Sequence, residues 1–490
     1  MCGIAGIIQQ DASNEIAQYV FTILLHEHHR GQNSAGIVVS HKDGYFKEQK
    51  GLGTLDRVFF RMREEFKSLS WRGIASIGHL RYATAGVDFS DRQSVEQAKT
   101  AIQPMRGNFL GEPFFMSFNG NLAPSCIQRL YQQLYKQEGP DKPDWRTCLD
   151  SELMIQSIEH SSKQTFKEAL LDTASRWDGA FSAVFLHNNT IYAIRDPWGF
   201  RPLEFGIFAK GYLVSSENNI FDETKLPGAH FLGSVKPGEC LVLQHSTSGI
   251  EKNICQYRKP MLRQCAFESI YFQRPDSQTF EGERVALFRR KLGHILAREQ
   301  PAPRNADFVL GVPDSGVPAA HGYAEEANLP YLQEALFRLH GAERSFMEPI
   351  NDLRQQGIEL KLGIIPEYVR GKSIMVVDDS IVRGNVMPRV VYLLKYHGAR
   401  EVHVRISSPP ITGPCYYGID TWRIPDELIA RTCSSTEYIR SLINTRTKEK
   451  YHYSYPLDSL GYLSLEGLKK AYAAPSEMCY ACWSGEYPVL

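Results

Sequence analysis

The sequence predicts two domains of different class: an α+β first half with layered, largely antiparallel strands, and an α/β second half on a parallel sheet. Three observations carry this. In the first half, short apolar strands come in groups. In the second, strand, glycine-bearing loop and helix follow one another, the pattern of a doubly wound sheet whose ligands sit beyond the carboxyl ends of its strands. The chain has 490 residues, and at roughly 150 residues per domain that is material for two to three domains.

In chain order, "CGIAGII" and "SAGIVVS" read as strands flanking a helix over "SNEIAQYVFTILLHEHHRG", which Gly31 can stop. "IASIGHLRYA", "PFFMSFNGNL", "GAFSAVFLHNNTIYAIRD" and "GYLVSSE" read as further strands, with Asn188-Asn189 as a hairpin turn. Helices are expected at "SELMIQSIEH" and "FKEALLDTASRW". Later, "ADFVLGVPDSGVPAA" and "KSIMVVDDSIVRGNVMPRVVYLLKYHGA" each read strand, loop, helix, and "EVHVRISSPP" adds a strand. The character changes between "VKPGECLVL" and "CAFESIYF", so domains over 2–245 and 262–490 are expected.

Hydrophobic content of 43% and charged content of 22% are ordinary for globular proteins. Lys+Arg and Asp+Glu both total 55, so no bulk charge favours nucleic acid or an anionic membrane. No apolar run approaches the roughly 18 residues of a membrane span, and the N-terminus lacks the basic segment of a signal peptide. A cytoplasmic protein is expected. Ten cysteines in such a chain suit metal binding or catalysis better than a disulfide framework.

Cys2 stands directly behind the initiator methionine. Removal of Met1 would put its thiol on the residue that carries the α-amino group. That amine has an ordinary pKa of about 7.7–8.0 and can act as a base toward the thiol. "MCG" alone fits a small buried residue opening a strand better than a nucleophile. The ordered set "HRGQNSAG", "GHLRYATAG", "FNGNL" and "DSE" favours catalysis. Arg81 can clamp a carboxylate and Asp150 can hold an ammonium. Asn119 and Gly120 can donate an amide and a backbone N–H to an oxyanion. A substrate with a carboxylate, an ammonium and an amide is glutamine.

These segments resemble the class II glutamine amidotransferases, N-terminal-nucleophile hydrolases of four-layer αββα fold, over roughly residues 2–240. The resemblance implies attack by Cys2 on the glutamine amide, release of ammonia and hydrolysis of a glutamyl thioester. It gives Arg81, Thr84, Asn119, Gly120 and Asp150 to glutamine binding and the oxyanion hole.

"IMVVDDSIVRGNV" reads as a buried parallel strand ended by Asp378 and Asp379, then a loop Ser380–Asn385 before a helix. Successive backbone N–H groups there, with Gly384 permitting unusual dihedrals, make a phosphate nest. The paired carboxylates suit the 2′- and 3′-hydroxyls of a ribose; a bare "DD" would favour a turn facing water, but "VRG" and the following helix favour the phosphosugar. The segment resembles the phosphoribosyl pyrophosphate motif of type I phosphoribosyltransferases, which assigns Ser380, Ile381, Val382, Arg383, Gly384 and Asn385 to the phosphosugar. Both halves together are similar to the glutamine phosphoribosylpyrophosphate amidotransferases, with "CAFESIYFQRPDS", "GVPDSGVPAA", "RISSPPI", "DSLGYLSLEGL" and "CYACWSGEYP" in the family's order. The resemblance implies transfer of ammonia to phosphoribosyl pyrophosphate, giving 5-phosphoribosylamine and diphosphate at the opening of purine synthesis. It further implies Mg²⁺ at Ser315, Asp378 and Asp379, purine nucleotides as inhibitors, and a homo-oligomer, tetramer or dimer.

Cys479 and Cys482 have C-x-x-C spacing, which alone suits zinc, a redox pair or two idle thiols. The family resemblance adds Cys265 and Cys415, a set that suits a 4Fe–4S cluster, with Cys₄ zinc as the alternative. Buried packing is expected for Cys126, Cys148, Cys240, Cys255 and Cys433.

The sequence also departs from the family. Asn385 and Val386 stand where the phosphosugar loop ends in two threonines. In "EALFRLHGAERSFM" the polar core of the family's flap is replaced by Arg338, Leu339, His340 and Gly341. Glu359 and Gly363 replace an arginine and an asparagine, while Lys361 stays. Each lost charge-assisted bond would weaken polyanion binding by about 1.5–3 kcal/mol. Three readings follow: a working transferase, a divergent relative that aminates another phosphosugar or acceptor, and a scaffold or regulator without synthase output.

Overall fold

The computed structural model describes the chain except 61–64, 68, 83–91, 136–148, 340–361, 420, 422–424 and 454–455, and the side chains at 67, 69, 92–94 and 97. It divides into two compact units. The first holds Met1–Cys265 with Tyr416–Asp420 and Tyr487–Leu490; the second holds Ala266–Cys415 and Thr421–Glu486.

In the first unit, β1 (Gly3–Ser13) leads to α1 (Ile16–His26), β2 (Ser34–Ser40), β3 (Phe46–Leu52) and β4 (Gly73–Arg81). β5 (Met105–Phe109) and β6 (Glu112–Leu122) precede α2 (Pro124–Leu134), α3 (Asp150–Glu159) and α4 (Phe166–Ala174). Then come β7 (Gly179–His187), β8 (Thr190–Arg195), β9 (Glu204–Phe208), β10 (Gly211–Ser215), β11 (His230–Ser234), β12 (Glu239–Ser246) and β13 (Gly249–Gln256).

The strands form two antiparallel sheets, one ordered β11-β9-β10-β1-β4-β2-β3 and the other β13-β12-β8-β7-β6-β5. Three apolar clusters hold four layers together. Val20, Leu24, Ile37 and Leu80 join α1 to the first sheet. Ile4, Ile8, Val184, Ile191 and Leu241 fill the space between the sheets. Leu130, Leu153, Trp177, Phe181 and Phe185 join the second sheet to its helices. This is the expected αββα arrangement. Asn188 and Asn189 make the β7–β8 turn, with φ of 44° and 57°, the left-handed pair that a two-residue hairpin favours. One expectation fails. The helix ends at His26, a 3₁₀ turn spans His28–Arg30, and Gly31 is extended rather than a helix stop. The reason is tertiary: the next side chain, Glu27, is drawn inward to accept the Ser216 and Glu217 N–H groups at 2.6 and 3.1 Å.

The second unit carries α5 (Val285–Glu299), β14 (Phe308–Gly311), α6 (Val317–Ala327), β15 (Leu336–Arg338), β16 (Leu362–Ile364), β17 (Ser373–Asp378), α7 (Met387–Tyr396), β18 (Glu401–Ile406), α8 (Thr436–Tyr451) and β19 (Ser459–Tyr462). Four strands form a parallel sheet, β14-β17-β18-β19, over a core that includes Val376, Val391, Val404 and Ile443. β17 is buried along its whole length, which explains its unbroken apolar run.

Ile191 is fully buried between the sheets. Ile191→Val should cost about 0.5–1.5 kcal/mol and Ile191→Ala about 2–5 kcal/mol, read as a graded fall in the urea midpoint followed by near-ultraviolet circular dichroism.

Candidate active sites

Two sites take shape, one in each unit. In the first, Cys2 sits just before β1, and the β1–β4 register, Gly3 opposite Leu80, brings the end of β4 and Arg81 alongside it. The Cys2 N–H donates to Asn119 Oδ1 at 2.9 Å. Here Met1 is retained, so this amide nitrogen stands for the α-amino nitrogen that methionine removal exposes. Asn119 is buried, and its Nδ2 has no partner among the described residues; such a donor suits an oxyanion. Gly120 follows with φ of 152°, and a Cβ there would run into the Ala180 carbonyl. Only glycine lets β6 pass its neighbour this closely. Asp150 opens α3 and accepts the Leu122 N–H at 3.1 Å, which fixes its carboxylate at the end of β6. Thr84 lies outside the described residues.

Arg30, buried, donates from Nε to the Cys2 carbonyl at 3.1 Å and from Nη1 to Glu217 at 2.6 Å. His29 also meets Glu217 at 2.6 Å. Burial, together with the Glu217 charge, pushes the Glu27 carboxyl up to about 8, against the pull of Arg30. Burial pushes the Cys2 thiol up, but the charge and hydrogen bond of His79, the chain's amino terminus and the Tyr82 N–H outweigh it. The thiol comes down to about 6.

The second site lies at the carboxyl ends of β14 and β17, where a doubly wound sheet binds ligands. After β14 the chain turns back over β17, the Val312 N–H bonding the Val377 carbonyl at 2.9 Å. This sets the Ser315 hydroxyl on the Asp379 carboxylate. Ser380 donates to the other Asp379 oxygen at 2.5 Å, and the Asp379 N–H to Asp378 at 2.9 Å. Both aspartates are buried, so a turn facing water is excluded. Burial, then the Asp379 charge, holds the Asp378 carboxyl far above its usual range. Burial also raises Asp379, against the Ser315 and Ser380 hydroxyls and the Arg289 charge. The loop continues to Gly384 at φ of 70° and is tied down by Arg446, which bonds the Arg383 and Gly384 carbonyls, and by the Ile429 N–H on the Val382 carbonyl at 3.0 Å. Ile381 points into the core, Arg383 pairs with Glu427 at 3.0 Å, and Asn385 and Val386 are exposed. The Arg383 side chain is thus engaged by Glu427, and the loop carbonyls by Arg446 and Ile429.

Comparison with known proteins places this geometry. A glutamine amidotransferase domain model matches residues 90–223. The chloroplastic amidophosphoribosyltransferase of Glycine max is 37% identical over 490 residues, covering 100% of this chain and 78% of that one. The chain belongs to the amidophosphoribosyltransferase family. The solved glutamine phosphoribosylpyrophosphate amidotransferase from B. subtilis, complexed with ADP and GMP, shares 34% identity and a TM-score of 0.81 over 100% of this chain and 98% of that one. A structure described as the allosteric regulatory enzyme of purine biosynthesis matches with the same identity and TM-score, over 100% and 96%. An amidophosphoribosyltransferase is an enzyme, and family, fold and enzyme class stand as expected.

Among the described residues, no three His, Cys, Asp or Glu side chains are grouped to hold a metal ion. In the second unit the Thr412 and Gly413 N–H groups bond the Cys482 carbonyl at 3.1 and 3.0 Å, which brings the segment ending in Cys415 onto the Cys479–Cys482 turn. Cys265 falls in the first unit. Cys126 and Cys240 are buried as expected; Cys255, on the edge strand β13, and Cys433, in the loop before α8, are only half-buried, and Cys148 lies outside the described residues. Of the flap positions, Arg338 ends β15 paired with Asp314 and Leu339 is exposed; His340, Gly341, Glu359 and Lys361 lie outside the described residues. Among the described residues no helix is long and apolar enough to cross a membrane.

Sequence reasoning missed Arg30, Glu217 and His79. The signal was present, since "HRG" and "GHLR" carry two of them. Alkylation of Cys2 by iodoacetamide should titrate with a midpoint near pH 6: below it the thiol is protonated and slow, above it the thiolate reacts at its limiting rate. Quantifying the labelled N-terminal peptide against pH checks this.

Proposed function

We propose that this enzyme releases ammonia from glutamine at Cys2 and transfers it to phosphoribosyl pyrophosphate, forming 5-phosphoribosylamine and diphosphate, the first step of purine biosynthesis. The observation that carries it is the Cys2 nitrogen on Asn119 Oδ1 with Asn119 Nδ2 left unpartnered. The Cys2 sulfur attacks the amide carbon, and the oxyanion is received by Asn119 Nδ2 and the Gly120 N–H. Arg81 and Asp150 hold the substrate's charged ends. The C–N bond breaks, ammonia leaves, and water hydrolyses the thioester to glutamate. In the second unit Asp378 and Asp379 hold the ribose diol, and the Ser380–Asn385 loop holds the 5′-phosphate while ammonia displaces diphosphate at C1.

Mg²⁺ would be held by Ser315, Asp378 and Asp379, a hard oxygen donor set that suits it, and would screen the diphosphate charge. A 4Fe–4S cluster on Cys265, Cys415, Cys479 and Cys482 is proposed as a structural group. Adenine and guanine nucleotides, which the B. subtilis relative binds, are proposed as regulators of a cytoplasmic homo-oligomer, tetramer or dimer. Full-length relatedness supports this reading over a divergent acceptor or an inactive scaffold.

Two variants test it in a crossed design. Cys2→Ala should lose glutamate formation but keep diphosphate release from free ammonia. Asp379→Ala should keep basal glutaminase and lose diphosphate release, with phosphoribosyl pyrophosphate binding by calorimetry weakened about a hundredfold. Glutamate formation surviving in Cys2→Ala would discard the nucleophile, and diphosphate release surviving in Asp379→Ala would discard the acceptor site. Protein prepared without oxygen should carry about four iron and four acid-labile sulfide per chain; stoichiometric zinc without sulfide would replace the cluster.

A further inference from the structure

His79 is the residue of this site for which the function above supplies no role. On β4 it stands opposite Ile4, one pair beyond Gly3–Leu80. Side chains alternate along a strand, so Cys2 and His79 share a face as diagonal neighbours, within reach of a long side chain. That face looks across the gap between the two sheets, where Ile4 packs. The ring is fully buried. Its Nε2 lies 3.0 Å from the Phe118 carbonyl. A carbonyl only accepts, so Nε2 carries a hydrogen, and in the neutral ring Nδ1 is then the acceptor. Nδ1 is buried and has no hydrogen-bond partner among the described residues. A buried nitrogen left this way is costly, and the group available to it is the Cys2 thiol.

We infer that His79 is a catalytic residue of the glutaminase reaction, whose Nδ1 takes the Cys2 thiol proton while Nε2 anchors the ring to the strand that carries Asn119. The inference rests on Cys2 being the nucleophile. In the step, the S–H bond breaks and an Nδ1–H bond forms, leaving a thiolate beside an imidazolium. The same proton is returned to the amide nitrogen as the C–N bond breaks, so ammonia leaves neutral and the ring is restored. Phe118 precedes Asn119, so one ring ties the sulfur to the oxyanion donor across both sheets. The charge and hydrogen bond that His79 exerts on Cys2 agree with this. The other charged groups at the nucleophile are the chain's amino terminus, Arg81 at the end of β4, and Arg30 on the Cys2 carbonyl with Glu217 and Glu27 behind it. Removing His79 leaves all of these in place.

The test compares iodoacetamide labelling of Cys2 against pH in wild type and His79→Gln. Gln can still donate to the Phe118 carbonyl but cannot take a proton. The midpoint should move up by about one unit or more, which is roughly twofold slower labelling at pH 7 and close to tenfold slower at pH 5, with the limiting rate at high pH unchanged. Glutamine turnover should fall in kcat with KM held. An unmoved midpoint would overturn the inference and leave the α-amino group as the base. Diphosphate release from free ammonia checks that the variant folds. If it does not, His79→Asn is read by the same labelling: a raised midpoint supports the pair, and an unmoved one overturns it. Undiminished glutamine turnover in Cys2→Ala would instead remove the nucleophile itself, an outcome separate from either.

Discussion

The Cys2 nitrogen reaches the Asn119 amide only because two sheets pack face to face. Cys2 leads into the first sheet and Asn119 lies in the second. Ile4, Ile8, Val184 and Ile191 set the spacing between the sheets, and close packing there leaves little freedom for a shift. The amide accepts from the Cys2 nitrogen with one atom and leaves its other without a partner among the described residues. In the proposed reaction, a slip between the sheets would uncouple attack from charge stabilisation, so the apolar layer belongs to the geometry that the proposal needs.

Around that contact the protein keeps a buried charge network. Arg30 joins the Cys2 carbonyl to Glu217, and Glu27 receives the backbone on either side of the Ser216–Glu217 peptide. Buried ion pairs of this kind are weak contributors to stability but are damaging to break, at about 3–5 kcal/mol. Their value here is orientation. The Cys2 backbone is held at its carbonyl by Arg30 and at its nitrogen by Asn119, so it is restrained from both sides.

The second unit uses buried charge differently. Asp378 and Asp379 are adjacent, enclosed, and served by serine hydroxyls. Two neighbouring carboxylates out of water resist ionising together, so the pair is suited to a ligand that brings hydroxyl donors or positive charge. The loop beyond is bound to the rest of its unit through its carbonyls, which leaves the backbone N–H groups for an anion.

Much of this was legible in order along the chain. Apolar periodicity marked the strands, Asn188-Asn189 marked a hairpin, and strand–loop–helix spacing marked the parallel sheet, because each depends on neighbours in sequence. The motifs around Cys2 and Asp378 were legible for the same reason: their candidate residues lie on short turns and strand ends, close together in sequence. Tertiary structure alone decided the rest. The helix expected to run to Gly31 stops at His26 because Glu27 bonds residues 189 and 190 positions away. Arg30 finds Glu217 at a separation of 187 residues, and His79 finds the Phe118 carbonyl at 39. Such pairings arise where sheets stack and leave no periodicity in the sequence, so the sequence by itself determined which chemistry was available, and the packing of one sheet on another decided which side chains govern it.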